Sequence, residues 1–235
     1  VSVLRRTSAN TRFSGILGGR DAATATALVL RSTDTNGLPA KPDWTPGGGG
    51  GGGEKGFYKL MGTKWHDTPV HYVVDPDNPW GLTEEFIVNA IVASAEEWDE
   101  HTTTELFDDT PEIVYNATWD DDAPDGRNEF LFGYYDDSNV IAITVVWYYP
   151  DTGETIEADV LFNTQFRFGD ATVEGDDVMD LQNIATHEIG HVAGLDDLYM
   201  PPASEETMYG YADWGETKKR DLYYGDIEGI QELYG

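Results

Sequence analysis

Two histidines four residues apart, His187 and His191, with Glu188 directly after the first, are the residues best equipped for chemistry in this sequence. On a helix, positions four apart share a face, so both imidazoles can aim at one point. Imidazole is a good zinc ligand. Glu188 lies one step round the helix, near enough to take a proton from a water held by such a metal. The apolar Ile184, Ala185, Ile189, Val192 and Ala193 predict that this helix is largely buried. Burying two imidazoles and a carboxylate without partners is costly, and a metal removes that cost. Three residues past His191, Gly194 can adopt a positive φ and turn the chain sharply out of the helix. The turn returns Asp196 and Asp197 towards the same point, and a carboxylate is an acceptable third zinc ligand. A fourth position left open for water would mark a catalytic site rather than a structural one.

The run His187-Glu188-Ile189-Gly190-His191-Val192-Ala193-Gly194-Leu195-Asp196-Asp197 resembles the metzincin pattern HExxHxxGxxH with aspartate in the last place. Thr207-Met208-Tyr209-Gly210 resembles that family's Met-turn. Gly225 to Gly235 is similar to the last helix of matrixin catalytic domains, and Trp65 to Trp98 resembles their early strand and long helix. The resemblance covers roughly residues 57–235. It implies a matrixin-like zinc endopeptidase of the archaeal or bacterial type with Asp as third ligand. By its register the zinc ligands are His187, His191 and Asp197, and Glu188 is the general base. It further implies an α+β fold: a twisted mixed sheet with an antiparallel edge strand, three helices, and zinc in the cleft. Protein or peptide substrates, a monomer, secretion or cell-surface display, a zymogen stage and at least one Ca2+ site follow from the same likeness.

Some residues depart from the family pattern. An anionic third ligand lowers the site's net charge by one and should soften the metal's pull on its water. Gly210 stands where astacin-like and serralysin-like relatives carry tyrosine, so a metal-bound tyrosine is not expected, although Tyr209 or Tyr211 could reach substrate. His66, His71 and His101 are too scattered to promise a second zinc, and His71 reads as a packed or surface residue. Two rival readings stand beside this one. In a gluzincin-type site Glu205 or Glu206 would be the third ligand. In a zinc-stabilised scaffold without turnover, Glu188 would have no task.

The elements that must position these residues begin with a strand at Val70–Val74. Thr83 then caps a helix whose apolar stripe runs Phe86/Ile87, Ala90/Ile91, Ala95 and Trp98. Strands are predicted over Glu112–Tyr115, Glu129–Tyr135, Val140–Tyr149 and Ile156–Phe162, with a hairpin turn at Asp151-Thr152-Gly153. The metal-motif helix should start near Asp176-Asp177 and end at Gly194, and a last helix should follow Asp226. Asn139 to Tyr149 resembles the matrixin edge strand, whose unpaired backbone groups would receive an extended peptide.

The chain has 235 residues, no cysteine and a net charge of −30. Disulfides, thiolate zinc sites and a cysteine on the metal are excluded. The acidity argues against nucleic acid and anionic membranes as partners, and no apolar run is long enough for membrane insertion. It fits a soluble protein in salty or calcium-rich surroundings, or solubility alone. Residues 1–56 carry seven Lys/Arg and four Asp/Glu, whereas residues 57–235 carry seven and forty. Seven glycines from Gly47 to Gly53 mark a linker between a basic, Gly-rich segment (1–56) and a catalytic domain (57–235). The first segment reads as a spacer or a propeptide remnant with little structure of its own, docked on the acidic body by its charge. Asp21 or Asp34 could act as an aspartate switch within it. Asp120-Asp121-Asp122, Asp125, Asp136-Asp137 and Asp176-Asp177 are the acidic groups that could take calcium. The spacing around Pro124 and Gly126 does not match an EF-hand loop.

Overall fold

The computed structural model describes residues 23–33 and 56–235, and the backbone of Arg12–Phe13. The glycine run, Asp21 and Asp34 lie outside the described residues. In chain order the strands are β1 (Arg12–Phe13), β2 (Thr24–Ser32), β3 (Val73–Val74), β4 (Glu112–Ile113), β5 (Glu129–Gly133), β6 (Val140–Tyr149), β7 (Glu154–Asn163), β8 (Phe168–Gly169), β9 (Met179–Asp180) and β10 (Tyr211–Ala212). The helices are α1 (Glu84–Asp99), the single turn α2 (Ala171–Glu174), α3 (Leu181–Ala193) and α4 (Tyr224–Tyr234).

The main sheet runs β1-β2-β6-β7-β5-β3-β4, with β10 also paired to β2. β7, β5, β3 and β4 are parallel, while β6 is antiparallel to β7. This is the mixed α+β architecture expected. The hairpin between β6 and β7 turns through Gly153, whose φ of 71° suits glycine. The early strand shortens to Val73–Val74 because Val70 only bridges to Phe107.

Helix α1 starts where Thr83 accepts the Phe86 N–H at 3.2 Å, and Ile87, Ile91, Ala95 and Trp98 are buried. It packs on α3: the Trp98 indole donates to Thr186 O at 2.8 Å, and Ser94 meets Thr186 at 3.0 Å. Helix α3 begins four residues later than the acidic pair predicts. Asp180, not Asp176-Asp177, caps it by accepting the Asn183 N–H at 2.9 Å. Met179 and Asp180 are held as a strand against Phe168–Gly169, and Asp176 and Asp177 sit in a 3-10 turn before it. Arg220 fixes the start of α3 by donating to Asp180 at 2.7 and 2.5 Å.

One expectation is sharpened and one corrected. The N-terminal segment, read as having little structure of its own, forms a nine-residue strand, Thr24–Ser32, by pairing with β6. In consequence β6 is not an edge. β2 pairs with it antiparallel from Thr24↔Tyr148 to Arg31↔Val140, capturing the backbone groups that an edge would leave open. On its other side β2 runs parallel to β10, with Arg31 N–H on Gly210 O at 3.2 Å and Thr33 N–H on Ala212 O at 3.3 Å. β2 therefore fills a slot one strand wide between β6 and β10.

Candidate metal centre

Helix α3 is buried along nearly its whole length, so its polar residues must be satisfied inside the protein. His187 and His191 are fully buried one turn apart, with ring centroids 4.8 Å apart. Each imidazole is oriented from behind. His187 Nδ1 donates to Thr207 O at 2.7 Å and His191 Nδ1 to Leu195 O at 2.9 Å. Both Nε2 lone pairs then point into a common space. Gly194, at φ 111°, ends the helix in the left-handed region and folds the chain back. A Cβ on it would meet Thr63 O at 2.4 Å. Beyond the turn Asp197 Oδ1 lies 3.3 Å from His187 Nε2 and 3.5 Å from His191 Nε2.

These three atoms have no hydrogen-bond donor and are buried, and they lie within 4.8 Å of one another. Three orphaned acceptors meeting in a buried space are the donor set of a cation, and two imidazoles with one carboxylate suit zinc. Of the two candidate aspartates, Asp196 is turned away and paired with Lys59 at 2.6 Å. Glu205 is on the surface with Lys218, and Glu206 accepts the Phe57 and Gly225 N–H groups, so neither joins the histidines. His66, His71 and His101 remain scattered, and His71 is an exposed partner of Asp108.

Electrostatics follow from this packing. Burial holds the His187 imidazole down to about 4. In His191 burial pulls the same way, but the charge of Asp197 outweighs it and raises the group to about 9. Burial pushes the Asp197 carboxyl up, yet the two imidazoles prevail and hold it well below the usual carboxylate range. Glu188 is fully buried and raised to about 7, first by desolvation. Thr144 Oγ1, from β6, donates to Glu188 Oε2 at 2.5 Å, and Glu188 Oε1 is left without a partner.

Further residues complete the site, and of these sequence reasoning singled out only Met208, in the expected Met-turn. Tyr199 donates to Asp197 Oδ2 at 2.7 Å, fixing which carboxylate oxygen faces the histidines. Met208 lies directly under α3, and a Cβ on Gly190 would meet its sulfur at 2.2 Å and Trp98 at 2.6 Å. Lys219 is wholly buried and donates to Thr207 O at 3.1 Å and Tyr209 O at 2.8 Å, tying down the turn that carries Met208. Its position in a Lys-Lys-Arg run gave no sign of burial.

The strand β2 lies against this centre. Residues directly opposite in an antiparallel pair share a face. Leu28 is opposite Thr144 and Leu30 opposite Ala142, so both leucines face α3, where they are 1% and 0% exposed.

The family model described as Matrixin matches residues 64–235. Human matrix metalloproteinase-16 is 27% identical over 201 residues, covering 83% of this chain and 31% of that protein. Human stromelysin-3 is 26% identical over 201 residues, 83% of this chain and 36% of its own length. Metalloendoproteinase 5-MMP of Arabidopsis thaliana is 43% identical over 58 residues, 25% of this chain and 15% of its own. The chain thus spans about a third of the length of the human relatives it matches.

Proposed function

The chain belongs to the matrixin family, and from that premise we propose that it is a zinc-dependent endopeptidase acting on protein or peptide substrates. The observation that carries the reading is the convergence of His187 Nε2, His191 Nε2 and Asp197 Oδ1 as buried, partnerless acceptors. Zinc held by these residues would supply an acidified water and an electrophile for the scissile carbonyl. Glu188 is the general base. Thr144 occupies one of its carboxylate oxygens and leaves Oε1 free to take the water's proton and pass it to the departing amine. Tyr199 keeps Asp197 in place.

Glu188→Gln tests the role. The variant should retain zinc by elemental analysis and lose cleavage of casein or gelatin by at least about a hundredfold. Cleavage at the parental rate would sink the assignment. Cleavage by the parent should also stop with 1,10-phenanthroline.

The division of the chain belongs to the same proposal: 57–235 as catalytic domain and 1–56 as an inhibitory prosegment. What supports it is β2, which takes up the β6 pairing surface that an extended substrate would need. A monomer is proposed because histidines, base, third ligand and slot all come from one chain. Secretion or cell-surface display rests on family membership, and no helix among the described residues is long and apolar enough to cross a membrane. Calcium as a second, structural ion is the remaining part.

A further inference from the structure

The strand β2 is an extended peptide lying in the slot beside the metal centre, so its residues report what the slot accepts. Its pairing register slips between Leu30 and Arg31, where it passes from β6 to β10. There the Arg31 N–H donates to Gly210 O at 3.2 Å, and the next N–H, of Ser32, returns to Asn139 O at 2.9 Å. These main-chain bonds would hold any sequence, and the buried Leu28 and Leu30 ask only for apolar side chains. Arg31 is the one charged residue of β2, and its side chain meets a partner of its own.

That partner is Asp137. Arg31 Nη1 lies 3.5 Å from Asp137 Oδ2, and the two side chains are only 21% and 28% exposed. The carboxylate is held without help from Arg31. Its Oδ1 accepts the Asn139 N–H at 3.0 Å and an Asn139 side-chain N–H at 3.2 Å, and Oδ2 is the oxygen that meets the strand. Tyr211 on β10 is the register partner of Arg31, and its ring meets those of Tyr199 and Tyr209 at 5.7 and 5.5 Å. The guanidinium charge is felt by Tyr135, Tyr199 and Tyr211, where it opposes the upward push of burial. Tyr199 is the residue that holds Asp197, so this place adjoins the metal centre. A preset carboxylate beside phenol rings favours a cationic side chain. The body favours one from further away too, with forty acids against seven bases over residues 57–235.

We propose that Asp137 is a specificity-determining residue, selecting substrates that carry arginine or lysine in the place Arg31 fills. The substrate class is then an extended peptide of the pattern apolar-any-apolar-basic, as in Leu28-Val29-Leu30-Arg31. The proposal rests on the endopeptidase reading and on β2 standing where substrate binds. Asp137 is not among the residues that would hold the metal or its water, so its effect falls on KM rather than kcat.

The test uses the full chain, loaded with zinc, and three fluorogenic peptides that differ only in carrying Arg, Gln or Glu after Leu-Val-Leu. β2 competes with all three alike, so the fraction of open molecules cancels from the ratios of kcat/KM. The parent should prefer the Arg peptide to the Gln peptide by about threefold, the size of a part-exposed ion pair, and to the Glu peptide by at least about tenfold. Both preferences should appear in KM. Asp137→Asn keeps an acceptor for Asn139 and removes the charge, so it should use the Arg and Gln peptides equally. Asp137→Lys should prefer the Glu peptide. Equal use of all three by the parent, or an unchanged preference in Asp137→Asn, would overturn the proposal. A second readout needs no catalysis. In the Glu188→Gln background, Asp137→Asn and Arg31→Gln should each speed amide exchange of β2 by about threefold, and together no more than either alone. Effects that multiply would overturn the pairing. A parent that cleaves none of the peptides sinks the endopeptidase reading instead, and the exchange cycle still decides whether Asp137 recognises Arg31.

Discussion

Asp197 is the residue on which the metal reading turns, because most of the motif's chemistry is common to any HExxH helix. Its neighbour Asp196 has the same side chain, yet it is paired with Lys59 at 2.6 Å and does not face the histidines. Asp197→Ala should therefore abolish stoichiometric zinc in the purified chain, whereas Asp196→Ala should keep it; metal analysis of both separates them. Zinc retained by Asp197→Ala would return attention to another ligand. The buried environment makes the difference steep. Removing the anionic ligand leaves only the two imidazoles of that buried donor group to hold the metal.

At the scale of elements, β2 is the finding with the largest consequence. Its side chains alternate, with Leu28 and Leu30 towards α3 and Val29 towards the other face with Leu131 and Trp119. Leu30→Lys would place a charge in a fully buried position and should expel the strand rather than unfold the domain, because β2 lies outside the β6–β7–β5–β3 frame. Turnover of a fluorogenic peptide by the full chain should rise by about tenfold or more, as a larger fraction of molecules becomes competent. A variant with parental circular dichroism and no gain in turnover would show that β2 does not block the site. A second element-level device is the start of α4. Asp226 accepts the Thr207, Met208 and Tyr223 N–H groups, and it faces Glu206 and the buried Lys219. Burial, then the charge of Glu206, raises Asp226 to about 7. A raised folded-state value means the folded chain holds a proton that the unfolded chain has released. This stabilisation is complete below the ordinary aspartate range and is lost as pH rises through about 7. Asp226→Asn should flatten that part of the Tm-against-pH curve; an unchanged slope would assign it to other groups.

Over the whole molecule, acidity dominates. Residues 57–235 carry forty Asp/Glu against seven Lys/Arg, and self-repulsion of that body opposes compaction. Raising sodium chloride from about 0.05 M to about 1 M should raise Tm of the calcium-free chain, because screening shortens to a few ångströms. A falling Tm would mean that attractive pairs such as Arg220–Asp180 outweigh the repulsion. The sequence by itself determined the local chemistry. The four-residue histidine spacing, the glycine exit from α3 and the period of α1 act within a few residues, where backbone geometry is set by the residues themselves. It also determined where β6 and β7 lie, since their β-branched runs flank a tight turn. Only the tertiary structure decided the contacts between distant segments: that Thr144 holds Glu188, that Lys219 is buried under the Met208 turn, and that β2 occupies the slot beside β6. Those outcomes depend on long-range pairing and burial, and a Ser-, Thr- and Ala-rich stretch such as Thr24–Ser32 becomes a strand only because an unpaired sheet edge is there to receive it.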